Sequence, residues 1–177
     1  MSMLPGRLGS LRARDVMTPE VITVTDTDTV DAAVHQLREH PNTGAPVIDA
    51  DGRFVGILSI SDLVQPGSAA EDTQRTRRDV DHAAANMAWN LFDQARPVEG
   101  DTRTDRVADR MTRDVATVGL NSLLVEVARV MCDGHWHRVP VVKRSGSLCG
   151  IISAMDILAA IVNAADERET LEDTVTP

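Results

Sequence analysis

Apolar and polar positions along the chain follow two periods, and the order of those periods is written twice. Val21-Ile22-Thr23-Val24 is a short β-branched run of the kind that forms a strand. Val30, Ala33, Val34 and Leu37 then fall at the spacing of a helix with one apolar face, with Asp28 placed to cap it. Ala45-Pro46-Val47-Ile48 reads as a second strand, and Asp51-Gly52 as a tight turn, since glycine accepts positive φ. Gly56-Ile57-Leu58-Ser59-Ile60-Ser61-Asp62 reads as a third strand running into a helix start. The same order returns as Val115-Ala116-Thr117-Val118, then Ser122 before Leu124, Val127, Ala128 and Met131, then Val139-Pro140-Val141-Val142, Ser145-Gly146 and Gly150-Ile151-Ile152-Ser153-Ala154-Met155-Asp156. A constant shift of 94 residues lays one copy on the other without a gap, from Asp15 against Asp109 to Val64 against Leu158. Each repeat is strand, helix, strand, strand, helix.

A unit of about 50 residues buries too little surface to stand alone comfortably, so the two copies are expected to pack as one domain. The repeats run over residues 15–64 and 109–162, each with a Met-Thr pair near its start, at Met17-Thr18 and Met111-Thr112. Residues 1–14 carry Arg7, Arg12 and Arg14 without periodicity and read as a mobile arm able to dock on the module. The connector, residues 65–108, opens with the loop-like Gln65-Pro66-Gly67-Ser68. Its stripe of Val80, Ala84, Met87 and Leu91 predicts a helix over 79–95, with Trp89 anchoring it by packing. Residues 163–177 form an acidic tail. Ile157 to Val162 is apolar all the way round, and such a helix needs cover on more than one side, which predicts a homodimer through it.

Composition narrows the class. With 177 residues, 42% hydrophobic and 25% charged, the chain can build a well-packed core and stay in solution. Its longest apolar run falls far short of the ~20 residues of a bilayer span, and its start lacks a secretory apolar core, so a cytoplasmic protein with no membrane partner is expected. The net charge of -9 speaks against a nucleic-acid partner, which calls for a basic face. Residues 15–64 hold two bases and nine acids, whereas 109–158 hold six bases and five acids. An anionic small molecule is therefore expected to prefer the second copy. Cys132 and Cys149 occur only in that copy, so they are no framework that both repeats need.

The doubled pattern of Met-Thr, Val-x-Thr-Val, one-sided helix, Pro-Val, Gly and then Gly-[IL]-[IL]-Ser-x-x-Asp resembles the cystathionine beta-synthase (CBS) domain, whose tandem is called a Bateman module. The resemblance covers residues 15–64 and 109 to about 162. It implies an α/β (α+β) fold of two βαββα repeats packed about a pseudo-twofold axis and commonly paired into a dimer. It implies, too, that adenosine-bearing ligands lie in clefts between the repeats, with Asp62 and Asp156 accepting the ribose hydroxyls. An ionised carboxylate can accept both donors of a cis-diol, and bonds to a charged acceptor are the stronger class. Ser59 and Ser153 would take ribose or phosphate oxygens beside Thr18 and Thr112, and Val21, Thr23, Val115 and Thr117 would line the adenine pocket. His137-Arg138 matches basic pairs that contact phosphates in nucleotide-sensing members, and Arg138 offers a planar fork suited to two oxygens. The first copy has Thr43-Gly44 there. The implied ligand is an adenine nucleotide such as AMP or ATP, bound as a regulator with no prosthetic cofactor, and its occupancy would be passed to a partner protein that the sequence does not name.

Other readings of the same residues stay open. Serine as N-cap with an acid three positions on satisfies orphan amides and the helix dipole without any ligand, and His137-Arg138 also suits a solvated strand end. Cys132, His135 and His137 are of zinc-ligand type but lack an evident fourth ligand. No phosphate loop, nucleophile elbow, His-Glu-x-x-His or Cys-x-x-Cys is present, so the expectation is a protein that is not an enzyme. The rival to a nucleotide sensor is a dimeric interaction scaffold with vestigial clefts. A redox or metal sensor using Cys132, Cys149 and His135 is a third reading.

Overall fold

The computed structural model describes residues 6–40, 43–64 and 105–173. The helix expected over 79–95, with Met87 and Trp89, lies outside the described residues, as does the end of the acidic tail. In chain order the elements are α1 (Ala13–Val16), β1 (Val24–Thr25), α2 (Val30–Glu39), β2 (Gly44–Ile48), β3 (Phe54–Ser59), α3 (Ile60–Val64) and α4 (Val107–Arg110). They continue with β4 (Val118–Gly119), α5 (Leu124–Gly134), β5 (Arg138–Val142), β6 (Leu148–Ser153) and α6 (Ala154–Asp173). They divide into two compact units, one of Val21–Val115 and one of Met1–Glu20 with Ala116–Pro177. Among the described residues no helix is long and apolar enough to cross a membrane.

Each unit is a mixed three-stranded sheet with helices. In the first, β1 runs parallel to β2 and β2 antiparallel to β3. In the second, β4, β5 and β6 repeat that order and those directions. The parallel pairs are joined through α2 and α5, as a parallel connection requires. Gly52 and Gly146 turn the hairpins with φ of 74° and 86°, and Asp49 Oδ1 braces the first turn by accepting from Asp51 N at 2.9 Å and Arg53 N at 2.8 Å.

The opening strands are shorter than their β-branched runs predict. Val24 aligns with Val47, which sets Thr23 opposite Pro46, and proline has no N–H to offer a ladder. Asp26 N donates to Ile48 O at 3.0 Å, so the Ile22 carbonyl is the one left without that N–H, while the Thr23 carbonyl faces away from β2 and takes the Gln36 side chain at 3.0 Å. Val118 aligns with Val141, so Pro140 ends β4 in the same way. The helix caps also differ from expectation. Thr29, not Asp28, opens α2 and accepts from Ala32 N at 3.2 Å, while Asp28 accepts from Thr25 N at 2.8 Å and closes the turn before it. Leu123, not Ser122, precedes α5, and Glu126 takes its N–H at 2.9 Å.

The two cores correspond under the shift of 94. Val24, Ala33, Leu37, Ala45, Val47 and Leu58 are buried in the first, and Val118, Val127, Met131, Val139, Val141 and Ile152 at the matching positions of the second. Each core is completed by a segment from elsewhere in the chain. Val107 and Met111 close the first core, and Ala13, fully buried, closes the second. Residues 6–20, from the front of the chain, are thus packed into the unit whose sheet is made last, and residues 105–115 into the unit whose sheet is made first.

Arginines fix these segments at equivalent places. Arg12 donates to the Asn121 carbonyl and Arg106 to the Thr27 carbonyl, and both donors and both acceptors lie 94 residues apart. Each arginine also heads an Arg-x-x-Asp turn in which the aspartate accepts its N–H, Asp15 at 2.9 Å and Asp109 at 3.3 Å. The repeat therefore extends upstream of Asp15 and Asp109.

α6 is two-sided in this unit. Ile157 packs against the second core and Ala160 is buried, whereas Met155, Leu158, Ile161 and Val162 are 69%, 52%, 45% and 56% exposed.

Candidate functional site

Both Ser-x-x-Asp motifs sit where the third strand of a sheet becomes a helix. In the first unit, Asp62 Oδ2 accepts from Ser59 N at 2.8 Å and Ser59 Oγ at 2.7 Å. In the second, Asp156 Oδ2 accepts from Ser153 N and Ser153 Oγ, both at 2.7 Å, and Ser153 Oγ accepts from Asp156 N at 3.2 Å. In the second unit these bonds form the reciprocal cap that satisfies orphan donors at a helix start, and in the first the aspartate takes the serine amide and hydroxyl. The capping role is real and uses only Oδ2 in each motif, and the other oxygen of Asp156 accepts no hydrogen bond among the described residues.

The Met-Thr pairs reach these motifs across the exchange. Thr112 lies beside Ile57 as a short antiparallel bridge, with Ile57 N to Thr112 O at 2.9 Å and Thr112 N to Ile57 O at 2.8 Å. Thr18 lies beside Ile151 in the same way, at 2.9 and 3.0 Å. The adjacent glycines make this approach possible, since a Cβ on Gly56 would stand 2.5 Å from the Thr112 carbonyl oxygen and one on Gly150 2.6 Å from that of Thr18. The Met-Thr of residues 15–64 thus serves the Ser-x-x-Asp of residues 109–162, and the converse. A reading of each repeat in chain order pairs them the other way.

In the second unit, Thr18, His137, Arg138, Ser153 and Asp156 come together around β6. Arg138 is exposed and register-paired with Ser153, and the His137 carbonyl accepts from Ala154 N at 2.8 Å. A cation, two hydroxyls and a carboxylate therefore flank one strand end. Thr117 precedes β4 and is exposed. In the first unit, Ser59, Asp62 and Thr112 come together, and Thr112 Oγ1 donates to Asp62 Oδ1 at 3.2 Å. Gly44 takes the place of Arg138 there, paired with Ser59. Val21, Thr23 and Val115 belong to this unit and are half-buried, and no hydrogen bond among the described residues joins them to Asp62.

Arg12, Arg106, Gly56 and Gly150 escaped the functional reading of the sequence. The available signal was the recurrence of Arg-x-x-Asp-x-Met-Thr at the shift of 94. Trp136 was also missed, and it packs against the second core beside His137. Cys132 is exposed, Cys149 is half-buried with Sγ 3.7 Å from the Ser147 carbonyl oxygen, and both are free thiols. Among the described residues no three or more His, Cys, Asp or Glu side chains are grouped to hold a metal ion. His35 and His40 are exposed.

Comparison with known proteins adds to this geometry. A family model described as the CBS domain matches residues 13–66 and 107–163. The chain is 29% identical over 171 residues to the chloroplastic CBS domain-containing protein CBSX2 of Arabidopsis thaliana, covering 94% of this chain and 70% of that protein. It is 31% identical over 137 residues to the chloroplastic CBSX1 of the same plant, covering 77% and 57%. The crystal structure of CBSX2 in complex with AMP matches with a TM-score of 0.60 at 27% identity, over 86% of this chain and 96% of that one.

Proposed function

The chain belongs to the CBS domain family, and from that premise we propose that it is a regulatory module that binds an adenine nucleotide such as AMP or ATP and signals its occupancy to a partner protein. The observation that carries this reading is the convergence of Arg138, Ser153, Asp156 and Thr18 around one strand end. Asp156 Oδ2 is spent on capping, and its other oxygen is available to a ribose hydroxyl. Arg138 is available to phosphate oxygens, and Thr117 and His137 extend the contact set. Ser59, Asp62 and Thr112 occupy the equivalent places in the first unit, beside Val21, Thr23 and Val115, and the nucleotide site proposed here is the one at Asp156. The binding of AMP by CBSX2, a structure similar along most of this chain, supports the adenosine ligand. Relatives described only as CBS domain-containing proteins support a module without turnover of its own.

Calorimetric titration with AMP, ADP, ATP and S-adenosylmethionine, on the natural sequence and on Asp156→Ala, tests this. Saturable binding lost in Asp156→Ala supports the sensor, and silence across the panel from folded protein refutes it.

A second reading shares the module without replacing the first. The exposed apolar side of α6, with Met155, Leu158, Ile161 and Val162, suits a homodimer, because a twofold axis lays one such face on its own copy. Were nucleotides not to bind, this face would make the protein a dimeric scaffold.

A further inference from the structure

We infer that the duplicated Ser-x-x-Asp motif has divided its work: Asp62 is a clasp that holds residues 105–115 in the first unit, and only Asp156 is left for a ligand. The ligand half of this statement rests on the reading proposed above, whereas the clasp half does not.

Three observations carry it. Asp62 is engaged on both oxygens, Oδ2 by Ser59 N and Oγ and Oδ1 by Thr112 Oγ1 at 3.2 Å, across a sequence separation of 50. Asp156 is engaged on Oδ2 alone among the described residues. A diol approaching Asp62 must displace a donor that the protein already supplies, so its net gain is smaller than at Asp156.

The second observation is in the backbone. Gly44 holds the register position that Arg138 holds in the second unit, and a Cβ on Gly44 would lie 2.7 Å from the Leu58 carbonyl oxygen and 3.1 Å from Ser59 Cα. The first sheet is drawn together there, and no side chain of any charge fits. Lack of a cation beside Ser59 is therefore fixed by the main chain and not by the choice of one residue.

The third is what the bond to Thr112 holds in place. Val107 and Met111, just upstream, are members of the first core. Thr112 pairs with Ile57 through its backbone and with Asp62 through its hydroxyl, so strand end, helix start and incoming segment meet at one carboxylate. Closing a long stretch of chain onto this sheet costs conformational entropy, which a charge-assisted bond at its far end offsets.

Thr112→Val and Thr18→Val, nearly isosteric changes at equivalent positions, test the division in the full chain, by urea unfolding and by calorimetric titration with AMP. Thr112→Val is expected to lower the folding equilibrium constant about tenfold, near the lower end for a bond to a charged group. It should leave AMP uptake at one equivalent per chain with unchanged affinity. Thr112→Ser, which keeps the hydroxyl, should restore most of the stability. Thr18→Val should leave unfolding unchanged and weaken AMP severalfold. The inference is overturned if Thr112→Val unfolds like the natural sequence, or if it removes one of two AMP equivalents. Should the natural sequence take up no AMP, the nucleotide reading fails, and the clasp is still judged by the unfolding of Thr112→Val against Thr112→Ser.

Discussion

Gly150→Ala adds one methyl group at a point where the main chain of another segment already lies in contact. The new Cβ would stand 2.6 Å from the Thr18 carbonyl oxygen, 3.0 Å from Met17 Sδ and 3.2 Å from Met17 Cγ. Met17 is flexible and can give way, but the Thr18 carbonyl cannot move alone, because it accepts from Ile151 N at 3.0 Å while Thr18 N donates to Ile151 O at 2.9 Å. The protein has two ways out. It can keep the bridge and distort, at about 1–3 kcal/mol for overpacking, or release the bridge and lose two hydrogen bonds worth roughly 0.5–1.5 kcal/mol each. Alanine also restricts the unfolded chain, which acts in the opposite direction by about 0.4–1 kcal/mol. The balance is a destabilisation of about 1–2 kcal/mol, and either route disturbs Thr18 at the proposed nucleotide site. Urea unfolding of Gly150→Ala measures it, with Gly9→Ala as control, since a Cβ on Gly9 meets nothing within 4 Å. Gly56→Ala, whose Cβ would lie 2.5 Å from the Thr112 carbonyl oxygen, should behave alike in the first unit. A Gly150→Ala protein as stable as the Gly9→Ala control would refute the close approach and with it the docking of residues 17–18 on β6.

Other expectations follow from the same geometry. Arg12→Ala and Arg106→Ala each remove a guanidinium bond to a carbonyl of the neighbouring turn, and each should cost about 1 kcal/mol in urea unfolding, since their exposure weakens a bond otherwise worth more. Leu158→Glu places a charge in the exposed apolar side of α6 and should shift the protein to monomer by light scattering and abolish the dependence of its unfolding midpoint on protein concentration. Arg138→Ala should weaken AMP about tenfold and flatten the dependence of binding on salt, whereas Lys143→Ala at the exposed hairpin should leave both unchanged.

Local periodicity made much of this fold legible. The one-sided stripe of Val30, Ala33 and Leu37, the hairpin glycines Gly52 and Gly146, and the strand-to-helix passage at Ser59 and Ser153 are all written in a few neighbouring residues. What the pattern could not show was set by residues far apart. Pro46 and Pro140 shorten β1 and β4 because each falls opposite the preceding residue of another strand, a matter of register. The exchange of Met17-Thr18 and Met111-Thr112 is invisible to an alignment of one repeat on the other, since that alignment is equally good whichever sheet each pair joins. The side-chain difference between Gly44 and Arg138 could be read directly, but not the closeness of Gly44 to Leu58 that makes it permanent. The free oxygen of Asp156 and the engaged one of Asp62 differ through Thr112, 50 positions away from its acceptor.

The placement of residues 6–20 also sets a timetable. The unit of Val21–Val115 is contiguous, so everything it needs has been made once Val115 has left the ribosome. The other unit draws on residues made before Val21 and is finished only with α6. At about 5–20 residues per second, Ala13 and Met17 wait on the order of ten seconds for the strands that will cover them. A nascent chain that carries these apolar side chains uncovered for so long has reason to keep them few and to surround them with Arg12, Arg14 and Asp15.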